Sequence, residues 1–176
     1  MTGYAVSASL MTAYLQGCQP AAPSLDWEPG FLNADQAKQL AAAVDAIFPK
    51  TDTPSASEVG VHQFIDLMLT DCADEEEQNG FVAGLAQLDE DSKAAYGKAY
   101  AACSADQQLE LLNKMNQEAG SAQTGERPFI LTLKQMVLMG YFTSEEVGTN
   151  VLAYDPIPGN YDGCIPLSDV GATWAL

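Results

Sequence analysis

The chain has 176 residues, and its 47% hydrophobic and 18% charged content is that of a folded globular protein, long enough for one domain burying roughly 70% of its unfolded surface. Seven Lys plus Arg against 24 Asp plus Glu leave a net charge of −17. That field repels phosphate backbones and the bare face of an anionic membrane, so no nucleic acid is expected, and a membrane only through a lipid anchor or another protein.

Residues 1–25 carry no charge, and GYAVSASLMTAYL (3–15) is apolar and small. The stretch is too short for a bilayer, which takes about 20 residues, but it has the length of the apolar part of a secretory leader. No Lys or Arg precedes it. LQGC, with Leu15, Gly17 and Cys18, has the shape of a lipoprotein cleavage box, which marks Cys18 as a candidate lipidation site. Two readings stay open for 1–25: an export-leader remnant, or an N-terminal segment packing on a partner. The folded unit is then 26–176, a single helical domain.

Past residue 30 the periodicity is that of helix after helix. Asn33 and Gln36 make a capping box ahead of Leu40, Ala41, Val44, Ile47 and Phe48, and Pro49 stops that helix. KTDTPSASEVG (50–60) is a turn-rich loop. A second helix places Val61, Phe64, Ile65, Met68, Leu69 and Cys72 on one face, and the acidic run Asp74–Glu77 opens a third that continues through Phe81, Leu85 and Leu88. A short helix interrupted by Gly97 is predicted over 91–102. Ser104 and Gln107 cap the next, with Leu109, Leu111, Leu112 and Met115. Pro128 in a first turn introduces the most apolar helix, with Phe129, Leu133, Met136, Val137 and Met139, and Thr143 with Glu146 caps a last short one. YDPIPGNYDGCIPL (154–167) holds three prolines and two glycines, so the tail over 152–176 reads as irregular. The fold class is all-α.

Signatures of catalysis are missing. The sequence has no GxGxxG, P-loop, GxSxG, HExxH or CxxC. His62, the one histidine, reads as a surface or capping residue in a weak helix-surface pair with Asp66, since a general base needs an orienting partner. The acidic run lacks the alternating ligands and glycine turn of a calcium loop. Met136 and Met139 read as a packed helix face, because no CxxCH accompanies them. No residue is assigned a catalytic, cofactor-binding or metal role.

One resemblance is specific. Gly140-Tyr141-Phe142-Thr143-Ser144, Glu146-Val147-Gly148, Tyr154-Asp155-Pro156-Ile157-Pro158-Gly159 and Tyr161-Asp162-Gly163-Cys164 occur in order. IFPKTDTPSASEVGVHQFIDLML (47–69) and GLAQLD (84–89) precede them. Over about residues 30–166 the chain resembles the small subunit, subunit 3, of the gluconate 2-dehydrogenase family, which includes small subunits of bacterial flavin-dependent glucose, fructose and glucoside 3-dehydrogenases.

The resemblance implies a non-catalytic periplasmic subunit that serves the export, maturation and stability of a large FAD-bearing subunit of the glucose–methanol–choline oxidoreductase type. Electrons then leave through a cytochrome c component or another acceptor. Such subunits carry a twin-arginine leader, and no twin arginine precedes the apolar region here, so the expectation is that the chain starts inside a longer leader. The competing reading is a stand-alone binding module, lipid-anchored through Cys18. Contact residues expected for the flavoprotein partner are Tyr141, Phe142, Tyr154, Pro156, Pro158, Tyr161 and Asp162, with Trp174 as a further aromatic anchor. Export to an oxidising compartment would permit at most one disulfide among Cys72, Cys103 and Cys164, with Cys72–Cys103 joining two helices as the first choice and Cys164 the alternative partner.

Overall fold

The computed structural model describes residues 27–121, 127–154, 157, 159–160 and 162–174. Among these are seven α helices and no strand: α1 (Ala34–Ile47), α2 (Val61–Asp71), α3 (Glu75–Tyr96), α4 (Ala105–Ser121), α5 (Phe129–Phe142), α6 (Glu145–Asn150) and α7 (Leu167–Val170), with a 3-10 turn at Tyr100–Ala102. Cys18 and the segment 1–25 lie outside the described residues.

Both expected capping boxes at the starts of α1 and α4 are formed. Asn33 Oδ1 accepts from the Asp35 and Gln36 amides while Gln36 Oε1 accepts from Asn33 N–H, and Ser104 and Gln107 exchange the same bonds. Asp74 caps α3 with Glu77 in the same manner, so the acidic run is a helix start whose charge offsets the positive end of the dipole.

Two boundaries differ from the sequence reading. The predicted break near residue 90 is absent: α3 runs unbroken to Tyr96, because Phe81, Leu85, Leu88 and Ser92 form one continuous buried stripe. Gly97 is its terminator, at φ 70°. Ser144, not Thr143, caps α6; its Oγ accepts from Val147 N–H, whereas Thr143 ends α5 and donates to the Met139 carbonyl.

The core forms around α1 and α5, each of which touches α2, α3 and α4. Leu40 and Val44 of α1, Ile65 of α2, Leu85 and Leu88 of α3, Leu112 of α4, and Leu133 and Val137 of α5 lie together in it. Gln39 brings a buried amide into this apolar contact, and its Nε2 donates to the Leu85 carbonyl at 2.7 Å, joining α1 to α3. Two glycines set the approach of α5. A Cβ on Gly84 would lie 2.1 Å from Phe129 Cγ, and one on Gly140 would lie 2.7 Å from Phe64 Cδ1. These side-chain-free positions let α3 and α2 close against α5.

The loop over 50–60 is held by polar clamps. Asp45 of α1 accepts from Ser57 N–H at 2.8 Å and Ser57 Oγ at 2.6 Å, while Tyr141 Oη of α5 donates to the Pro54 carbonyl at 2.9 Å. The Tyr141 ring stacks on Phe48 at 4.4 Å and 4°. Asp66 performs the matching task for the entry to α1. Its Oδ2 accepts from Gly30 N–H, and its Oδ1 from Phe31 and Leu32 N–H, at 2.7, 3.3 and 2.8 Å.

Candidate partner interface

Helix α5 is apolar on most of its circumference, and one face is the core: Ile130, Leu133, Val137, Gly140 and Tyr141 are buried. At 100° per residue, Leu131, Leu138, Met139 and Phe142 fall on the opposite side, and they are exposed at 36, 45, 48 and 41%. From Leu131 to Phe142 this stripe is about 16 Å long. A helix that is hydrophobic on both faces is normally covered on both. None of Leu131, Leu138 and Met139 was expected at an interface from sequence; the signal was the apolar excess of α5, which was read as core alone. Met139, expected in the packed face with Met136, is half exposed, whereas Met136 packs against the core.

The second exposed apolar feature is the tail. Ala153 N–H donates to the Thr173 carbonyl at 2.8 Å, and Ala153 and Trp174 form an isolated parallel bridge. The two ends of the segment are therefore tied together. Between them Tyr154, Ile157, Ile165 and Leu167 are exposed at 69, 83, 47 and 86%, and Trp174 at the base at 46%. The tail is not wholly irregular, since α7 supplies one helical turn and Asp162 Oδ1 accepts from Cys164 N–H in a local turn.

The expected contact residues are divided by this geometry. Tyr141 is 3% exposed and belongs to the core, where its ring and hydroxyl are both engaged, so it does not offer a contact surface. Phe142 is half exposed and edges against Phe48, while Tyr154 and Asp162 are at the surface. Pro156, Pro158 and Tyr161 lie outside the described residues.

The described cysteines are unpaired in this structure. Cys72, Cys103 and Cys164 are all free. Cys103 is buried with its Sγ 3.0 Å from Ser92 Oγ and donating to the Ala99 carbonyl, whereas Cys72, placed on the core face by periodicity, is exposed at the end of α2. The stripe that buries Val61, Ile65 and Leu69 ends before it.

His62 is a correction. It is 8% exposed and its ring packs 5.7 Å from Trp27, tilted by 60°. It is not paired with Asp66, whose oxygens are taken by the three amides. Burial lowers the His62 pKa, opposed by the Asp45 carboxylate, so the imidazole is neutral at pH 7. Neither His62 Nδ1 nor Trp27 Nε1 has a hydrogen-bond partner among the described residues. A catalytic base is oriented by a neighbour, and Nδ1 of this imidazole has none among the described residues. Among the described residues no group of three or more His, Cys, Asp or Glu side chains is placed to hold a metal ion, and no helix is long and apolar enough to cross a membrane.

The family model described as gluconate 2-dehydrogenase subunit 3 matches residues 34–159. The chain belongs to the gluconate 2-dehydrogenase subunit 3 family. The matched span runs from the first residue of α1 into the tied tail. It includes Asp66, Gly84 and Gly140, so three of the recognisable sequence pieces have structural tasks: an amide clamp and two helix contacts. The family description names a subunit of a dehydrogenase. No curated protein and no solved structure matches the chain.

Proposed function

We propose that this protein is the non-catalytic small subunit of a periplasmic, FAD-dependent sugar or sugar-acid dehydrogenase. Its partner is a large flavoprotein subunit of the glucose–methanol–choline type, which holds the FAD and oxidises the substrate, passing electrons to a cytochrome c component or another acceptor. The match of the subunit 3 family model over residues 34–159 carries this reading. The exposed apolar stripe of α5 and the tied apolar tail support it, since a subunit needs surface that is dry only in the assembly.

A small subunit acts on its partner by mass action. Binding the folded flavoprotein and not its unfolded chain stabilises it by about 2.7 kcal/mol when the small subunit is at 100 times its Kd. That is enough to change the yield of folded, flavin-loaded enzyme during maturation and export. Co-expression with a candidate large flavoprotein subunit tests this. The expected result is a co-purifying pair and a several-fold higher yield of FAD-loaded dehydrogenase. Equal yield, flavin content and activity with and without this chain would refute it.

A further inference from the structure

We propose that the cleft between α1, the 50–60 loop, α2 and α6 binds a small neutral molecule rich in hydroxyl groups, a monosaccharide or cyclic polyol. The site belongs to this chain alone and does not depend on the subunit reading. The cleft measures about 890 Å³, a size usual for small-molecule sites, and Trp27, Ala42, Asp45, His62, Gln63 and Asn150 are among its lining residues. Two of these, His62 and Trp27, each bury a polar atom that has no hydrogen-bond partner among the described residues: Nδ1 and Nε1. Buried polar groups in native proteins are nearly always paired. Two unpaired ones on neighbouring rings, 5.7 Å apart, mark where a group from outside completes the bonding. Both atoms are covered in the free chain. The indole, tilted 60° on the imidazole, makes no side-chain hydrogen bond that turning would break, so a hydroxyl reaches them when the ring turns aside.

Donors and acceptors select the ligand. Indole Nε1 only donates, and the neutral imidazole offers one donor and one acceptor. A cation has nothing to accept the indole hydrogen. An anion would enter among Asp45, Glu145 and Glu146, and no Lys or Arg of the described residues lines the cleft. Glu58 lines it too, with Lys50 as its ion-pair partner. A hydroxyl both accepts and donates, so it answers the indole, the imidazole and the carboxylates together. Asp45 is already fixed for that task. Its Oδ1 accepts from Ser57 N–H and its Oδ2 from Ser57 Oγ, which holds the carboxylate still and leaves each oxygen a further lone pair. Gln63 of α2 and Asn150 of α6 add amides that donate and accept. Ala42, Val59 and the indole supply an apolar wall for the C–H face of a ring.

The chain has two tryptophans, Trp27 and Trp174, so Trp174→Phe leaves Trp27 as the sole indole reporter at the cleft. The free full-length variant is titrated with glucose and myo-inositol, with gluconate as the anionic probe and ethylammonium as the cationic one. Trp27 emission is followed, with calorimetry on the wild-type chain alongside. A saturable change with Kd on the order of 1–10 mM is expected for at least one neutral polyol, and at least about 10-fold weaker binding for both ions. Gln63→Ala with Asn150→Ala, both at the surface, should weaken the polyol by about 10-fold while melting as wild type does. No saturable response to either polyol, in fluorescence or heat, overturns the site. Tighter binding of gluconate or ethylammonium than of the polyols overturns its neutral specificity, and unchanged affinity in the double variant overturns its location. Each result is read on the free chain, so none of them bears on whether a flavoprotein subunit joins it.

Discussion

Two glycines of one helix should respond to the same substitution with opposite signs. Gly80 and Gly84 both lie inside α3. Alanine in a helix interior is favoured over glycine by about 1 kcal/mol, through backbone entropy. At Gly80 a Cβ meets nothing within 4 Å, so Gly80→Ala should stabilise the chain by ~0.5–1 kcal/mol. At Gly84 the same methyl would lie 2.1, 2.2 and 2.6 Å from Phe129 Cγ, Cδ2 and Cβ. Turning the ring does not relieve the last of these, because Phe129 Cβ is fixed to the α5 backbone. The two helices must separate, and the ring loses its edge contact with Phe81 at 5.2 Å. Overpacking costs ~1–3 kcal/mol, and the strain here belongs at the upper end, so Gly84→Ala should destabilise by a net ~1–2 kcal/mol. For a domain of this size that lowers Tm by about 2–8 °C, while Gly80→Ala raises it by about 1–4 °C. Urea unfolding followed by circular dichroism gives the free energies. In a Phe129→Ala background the Cγ and Cδ2 clashes are gone and only the 2.6 Å approach to Cβ remains, so Gly84→Ala should cost less there than in the wild-type chain. Equal effects at the two positions, or an undiminished cost in that background, would refute close helix approach as the reason for Gly84.

Asp66→Ala should destabilise by ~3–5 kcal/mol, since it strands three partly buried amides at Gly30, Phe31 and Leu32. Asp66→Asn should cost roughly half as much, because one oxygen remains; equal stability of the Asn variant would place the clamp's value elsewhere. Stability should fall as pH drops below about 6.5, because His62 has a lowered folded-state pKa and the unfolded chain then binds the proton more readily. In His62→Gln the slope of stability between pH 7 and about 5.5 should shrink, and an unchanged slope would show that His62 is not its source. Alkylation of the native chain followed by peptide mapping should label Cys72 and Cys164 quickly and Cys103 only in denaturant, because Cys103 is buried and the other two are exposed. Fast labelling of Cys103, or a mapped Cys72–Cys103 disulfide, would contradict this arrangement.

Local chemistry was legible without the fold. The side-chain oxygens of Asn33, Asp74 and Ser104 cap helices through bonds made within a turn of themselves, and Pro49 lies just past the end of α1 for an equally local reason. The all-α class followed from helical spacing, and the family from short motifs in order. Each of these depends on neighbours in sequence, so the sequence alone determined them.

What required distant neighbours needed the tertiary structure. Tyr141 and Phe142 are adjacent and both aromatic, but one meets Phe48 and the Pro54 carbonyl while the other is turned half to solvent. Asp66 is one turn from His62, and its true partners are amides more than thirty residues away. The outer face of α5 could not be told from its inner face, because both are apolar and periodicity then gives no direction. The structure decides it: core on one side, and on the other an apolar stripe that no other part of the described chain fully covers.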